Sequence, residues 1–194
     1  MDVLHNCVHT EIFKKISSSE VMDSINELFL PIKENFCFLF VGHWLRGNLG
    51  EDRKNVGMLV KTFCETFKNI PSSNRPALVL KTSGADFSLL DREEILNKIN
   101  TIKNSIGVGC PNVYIIHGDL TVNEMNSLYN HPKIKAHVSF TKGEGFGRPL
   151  LEASMSEKPI IASGWSGHLD FLNPNDSILL SGELRPIEAG SVWE

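Results

Sequence analysis

Six short apolar runs, spread through residues 36–181 and separated by segments of helical spacing or by polar, glycine-bearing loops, constrain this chain more than any other feature. The runs lie at 36–41, 77–81, 113–116, 134–140, 159–162 and 177–180. Each is nearly continuous in apolar character, as expected of parallel strands covered on both faces. Between the first two, Val56, Leu59, Val60, Phe63, Cys64 and Phe67 keep the spacing of a helix packed on one side. A second helix is expected from Asp91, where Asp91-x-x-Glu94 reads as a capping box, with Ile95, Leu96, Ile99, Ile102 and Ile106 buried. A third is expected after Thr121-x-x-Glu124, with Val122, Met125 and Leu128 inward, and a fourth over 146–157, stopped by Pro159. This alternation predicts a doubly wound α/β domain over 36–181. Residues 1–35 read as a leading segment with a helix at 19–30, and 182–194 as a C-terminal tail.

Composition narrows the functional classes. Nineteen basic against 23 acidic residues give a net charge of −4, so no basic excess exists to hold nucleic acid or an anionic membrane. The run at 36–41 ends at Gly42, far short of a membrane span. The start, Met1-Asp2-Val3-Leu4-His5, lacks the pattern of a secretory signal, so a cytoplasmic location is expected. Cys7, Cys37, Cys64 and Cys110 lie far apart without a C-x-x-C pair, so neither a disulfide framework nor a metal site is expected. No G-x-G-x-x-G follows the first run, where Gly42-His43-Trp44 stands, which argues against a nicotinamide-dependent oxidoreductase. No G-x-x-x-x-G-K-[ST] occurs either, which argues against a P-loop ATPase.

In a doubly wound sheet, ligands bind beyond the carboxyl ends of the strands. The residues expected there are Gly42-His43-Trp44 with Asp52-Arg53-Lys54-Asn55, then Lys81-Thr82-Ser83-Gly84 and His117-Gly118-Asp119. They are joined by Thr141 through Pro149 and by Ser163 through His168. Cations, glycines and carboxylates on one edge suit a polyanionic ligand bearing hydroxyls, such as a sugar nucleotide. Gly143, Gly145 and Gly147 would bring backbone N–H groups close to it. Lys54, with Arg53, would offset a diphosphate, and Glu144 and Glu152 would reach different hydroxyls of an extended ligand. Each feature alone also fits a bland role: a solvated glutamate or lysine, a simple turn, loop-packing tryptophans at Trp44 and Trp165, structural histidines at His43, His117 and His168. Their convergence from five loops favours a site.

The stretch Glu144-Gly-Phe-Gly-Arg-Pro-Leu-Leu-Glu152-Ala-Ser, followed by Lys158-Pro159-Ile160-Ile161-Ala162-Ser163, resembles the Glu-x7-Glu signature of glycosyltransferase family 4, the glycosyl transferases group 1. Phe38-Leu-Phe-Val-Gly42 and Asp52-Arg-Lys54-Asn55 resemble that family's first strand and diphosphate loop, and Ser166-Gly167-His168-Leu169-Asp170 its small-residue loop. The segment from Val3 to Phe13 resembles the join between the two halves of these GT-B enzymes. The resemblance implies a Rossmann-like GT-B half-domain preceded by a linker. It implies transfer of sugar from a nucleotide sugar with retention of configuration, using the donor as substrate and neither cofactor nor bound metal. By that resemblance Glu144 contacts the transferred sugar, Lys54 and Arg53 hold the diphosphate, and Glu152 holds the ribose. Gly145, Phe146 and Gly147 offer backbone to the sugar, Gly42 admits the phosphates, and Lys81 belongs to the donor-binding set. His43 stands where many members carry Arg, and Asn6-Cys7-Val8-His9 where the join usually reads Asn-Gly-Val-Asp. The acceptor-binding N-terminal half and the closing helix find no match in the sequence, so a partner half, a split enzyme or a non-catalytic nucleotide-sugar-binding module are the alternatives. A GT-B sugar-nucleotide epimerase would differ by its product.

Overall fold

A computed structural model of the chain describes residues 7–45, 47, 49–84, 86–184 and 186. Six strands form one sheet: β1 (Cys37–Val41), β2 (Ala77–Lys81), β3 (Val113–Ile116), β4 (Ile134–Ser139), β5 (Ile160–Ser163) and β6 (Ile178–Leu180). Every neighbouring pair is parallel, in the order β3-β2-β1-β4-β5-β6. The chain leaves β1 to build β2 and β3, then returns to lay β4 on β1's other side. That reversal opens a crevice between the carboxyl ends of β1 and β4. Val41 pairs with Lys81, Lys81 with Ile116 and Ser139 with Ala162, so the following loops leave the sheet along one edge. The doubly wound parallel sheet expected from the apolar runs is the sheet observed.

The helices are α1 (Asp23–Leu28), α2 (Val56–Phe67), α3 (Leu89–Ile106), α4 (Val122–Asn130) and α5 (Arg148–Ser154). One core packs α2 and α3 on the sheet through Val60, Phe63, Ile95 and Ile99 against Phe40 and Leu80. The other gathers α1, α4 and α5, and takes Phe13, Val21, Ile25, Phe29 and Ile32 from residues ahead of β1. Asparagines of α4 hold that segment down: Asn126 Oδ1 accepts from Lys14 N (3.1 Å), and Asn130 Oδ1 accepts from Ile16 N (3.1 Å). The parts of the leading segment and tail at 1–6, 185 and 187–194 lie outside the described residues.

Four helix expectations change. α3 starts at Leu89, because Ser88 rather than Asp91 caps it, its hydroxyl accepting from Asp91 N (3.1 Å). The Asp91 carboxylate is engaged elsewhere, by Gly84 N (2.9 Å) and His117. The Thr121–Glu124 capping box forms as expected, but Val122 in its first turn is exposed. α5 is shorter than 146–157, since Gly147 is left-handed (φ 84°) and Glu157 is again left-handed (φ 58°). The helix expected at 19–30 divides into a 3-10 turn, Ser18–Glu20, and α1, with extended backbone at Val21 and Met22 between them.

Candidate functional site

Two loops meet over the crevice. The loop after β1 turns into α2 at Asp52, whose buried carboxylate accepts from Val56 N (2.9 Å) through Oδ2. Its Oδ1 has no hydrogen-bond partner among the described residues, and burial raises this carboxyl above its ordinary range. The turn projects Arg53 and Lys54 toward the loop after β4. Lys142 N donates to Arg53 O (2.8 Å), and Arg53 Nη1 donates to Gly143 O (2.8 Å). Lys54 Nζ forms an ion pair with Glu144 Oε1, and Arg53 Nη1 lies 3.6 Å from Glu144 Oε2. The Lys54 and Glu144 side chains are only 12% and 9% exposed, so each charge depends on the other.

The loop after β5 supports Glu144 from behind. Ser166 Oγ accepts from Glu144 N (3.0 Å) and donates to Glu144 O (2.8 Å). A Cβ on Gly167 would lie 2.1 Å from Gly145 O, and one on Gly147 would lie 2.8 Å from His168 Cβ, so the two loops touch backbone to backbone. Around Gly145 itself no described residue lies within 4 Å of a Cβ position, which leaves that stretch open to a ligand. Phe146 turns toward Phe171 (ring centroids 5.3 Å apart). A Cβ on Gly42 would meet Phe40 Cζ at 3.0 Å and lie 3.7 Å from Lys54 Cδ, so a side chain here would press on the Phe40 ring beside the lysine.

Glu152 lies one turn below Arg148 on α5 and is 8% exposed. Its Oε2 accepts from the Tyr129 hydroxyl (3.0 Å), and its Oε1 lies 3.2 Å from Arg148 Nε. Burial raises its pKa, while the Tyr129 bond and Arg148 pull it down. A buried carboxylate with a raised pKa, on the helix that follows the Glu144 loop, is a candidate ligand contact.

Lys81 stands apart from the Lys54–Glu144 pair. It donates to Gly118 O (2.7 Å) and lies 5.5 Å over the Phe87 ring; burial lowers its pKa, opposed by Asp119. His117 Nε2 lies 2.8 Å from Asp91 Oδ2, and His43 Nδ1 lies 3.0 Å from Ser83 Oγ, so both join structural contacts. Trp44 is buried beneath α2 and α3, whereas Trp165 is half exposed and donates to Lys142 O (2.7 Å). The crevice thus gathers Arg53, Lys54, Glu144 and the glycine loop, while Glu152 sits on the helix that follows, against Tyr129 and Arg148. Ser166 lies in the loop expected at this edge, whereas Tyr129 was not expected beside the site. Tyr129 carried one signal, a polar tip on the inward face of α4 beside Met125 and Leu128, which needs a partner when buried. Among the described residues no group of three His, Cys, Asp or Glu could hold a metal ion, and no helix is long and apolar enough to cross a membrane.

No family model and no curated protein matches the sequence. Solved structures do match the fold. The C-terminal domain of a glycosyl transferase group 1 family protein, LpcC of Francisella tularensis, superposes with a TM-score of 0.61 at 17% identity, over 90% of this chain and 80% of that one. HepE of Anabaena, in complex with UDP-glucose, gives 0.63 at 15% identity over 93% of this chain and 43% of its own. Sucrose-phosphate synthase of Thermosynechococcus elongatus gives 0.61 at 21% identity over 90% and 38%. The chain therefore spans well under half the length of these last two proteins. Its fold is that of a GT-B glycosyltransferase C-terminal domain.

Proposed function

From that fold, we propose that this chain is the donor-binding domain of a retaining glycosyltransferase that uses a nucleotide-diphosphate sugar. The observation that carries the proposal is the Lys54–Glu144 ion pair across the β1–β4 crevice, with Glu152 buried on the helix that follows. A diphosphate entering the crevice would take Lys54, with Arg53, as its counter-charge, offsetting the charge that develops on the leaving group. Glu144, released from the lysine, would accept hydrogen bonds from hydroxyls of the transferred sugar. Glu152 would accept from ribose hydroxyls. Gly145, Phe146 and Gly147 would present backbone to the sugar, Gly42 would admit the phosphates beside Lys54, and Lys81 would bound the site at β2. The UDP-glucose complex of HepE supports a nucleotide sugar as the ligand class.

A second reading is a nucleotide-sugar-binding module that works with a separate acceptor-binding half; the chain covers 43% of HepE and 38% of sucrose-phosphate synthase. Both readings require donor binding here. A thermal-shift titration with UDP, GDP, ADP and their glucose or mannose conjugates tests it. One nucleotide should stabilise the wild-type chain by about 2.7 kcal/mol at a hundred times its Kd, and Lys54→Ala and Glu152→Ala should abolish the shift. No shift with any of them from a folded protein overturns the proposal. Sugar transfer by the chain alone, against transfer only after adding a second polypeptide, separates the two readings.

A further inference from the structure

We infer that Tyr129 is a positioning residue for Glu152: its buried hydroxyl fixes Oε2 and leaves Oε1 as the oxygen that meets a ligand. The identity of the ligand rests on the donor-binding proposal; the coupling of the two side chains does not.

Tyr129 is fully buried, and its hydroxyl donates to Glu152 Oε2 at 3.0 Å. The ring cannot turn away. Phe13 packs on it at a centroid distance of 6.2 Å and His137 meets it edge-on at 5.5 Å. The hydroxyl is therefore a fixed donor, set by α4, the leading segment and β4 together. Oε1 faces Arg148, the first residue of α5, at the end of the helix nearest the crevice. The Arg148 side chain is 74% exposed, so it can swing aside for a ligand as Tyr129 cannot. The titratable and charged groups about the carboxylate are Tyr129 from α4 and Arg148 from its own helix. His137 of β4 stands behind the tyrosine, near Ser156 Oγ (3.1 Å), and burial pushes its pKa down to about 3, so it brings no charge. Burial drives Glu152 toward its neutral form, and the tyrosine bond opposes that drive. Loss of the hydroxyl should leave a carboxylate that is less firmly oriented and protonates at higher pH.

The test is Tyr129→Phe in the full chain, read two ways. In the ligand-free protein, a carbon-13 NMR titration of the Glu152 carboxyl should move to higher pH. With the nucleotide among UDP, GDP and ADP that the wild-type chain binds, affinity at pH 7 should fall about tenfold. The loss should deepen toward pH 5.5. An unchanged Glu152 titration, or wild-type affinity across pH 5.5–8, overturns the inference. If the wild-type chain binds none of the three, the donor-binding proposal falls and the ligand-free titration alone decides this one. Should Tyr129→Phe not fold, the chain's only other tyrosine, Tyr114, can be replaced by Phe and fluorotyrosine incorporated at 129. The more acidic phenol must then lower the Glu152 titration and tighten nucleotide binding; no change in either overturns the inference.

Discussion

Lys54 and Glu144 show how a site residue can also be a structural one. Both side chains are nearly buried and each neutralises the other, so removing one leaves a charge without its closest partner. Lys54→Ala should cost about 3 kcal/mol of stability in urea unfolding, and adding Glu144→Gln should recover most of it. A loss equal in both variants would show that packing, not charge, is at stake. Glu152 behaves in the opposite sense. Its folded pKa is raised, so the folded chain binds this proton more tightly than the unfolded chain, and stability falls as pH rises from the ordinary glutamate value through the raised one. At pH 7 the charged carboxylate is a burden on the fold. Glu152→Gln keeps an acceptor for Tyr129 and should be more stable than the wild type by about 1 kcal/mol, while nucleotide binding disappears. A less stable variant would contradict this.

Among the elements, the leading segment has a role that its spacing alone does not reveal. Phe29 is 2% exposed and its ring stacks on His131 with centroids 3.6 Å apart, whereas Leu30 next to it is 79% exposed. Phe29→Ala should cost about 4 kcal/mol and Leu30→Ala less than about 0.5 kcal/mol, measured by the same unfolding titration. The strands were legible because a parallel sheet buried on both faces leaves continuous apolar runs such as Ala77 to Lys81, whose observed limits are the expected ones. Helix starts were less legible. Leu89 and Leu90 open α3 largely exposed, so apolar spacing could not reveal them, and the Asp91 carboxylate that resembles a cap is engaged by His117. The crevice residues Arg53, Lys54 and Glu144 were legible because they follow strands whose order brings their loops together. The Tyr129–Glu152 contact was not, since it joins side chains 23 residues apart on different helices, and no local pattern encodes which helices touch.

At the scale of the whole molecule, the core shared by α1, α4 and α5 answers acid differently from the site. Burial and nearby lysines push His131 down to about 4, and burial pushes His137 down to about 3. The unfolded chain therefore takes up these protons first, and their contribution, intact above about pH 6.5, is lost as pH falls toward the folded values. Asp52 and Glu152, with raised values, act in the reverse direction, so a single variant isolates the histidine. His137→Asn should flatten the fall in stability between about pH 6.5 and 4 relative to wild type; an unchanged slope would mean that His137 is not held neutral. The anchoring of the leading segment also has a consequence for biosynthesis. Lys14 finds its partner Asn126 only 112 positions later in the chain. A ribosome adding about 5–20 residues per second needs on the order of ten seconds to deliver it. Through that interval Phe13, Val21, Ile25, Phe29 and Ile32 have emerged without the surface they will cover. The nascent chain is then a client for chaperones at this segment, and slowing translation between positions 33 and 126 would lengthen its exposure to aggregation.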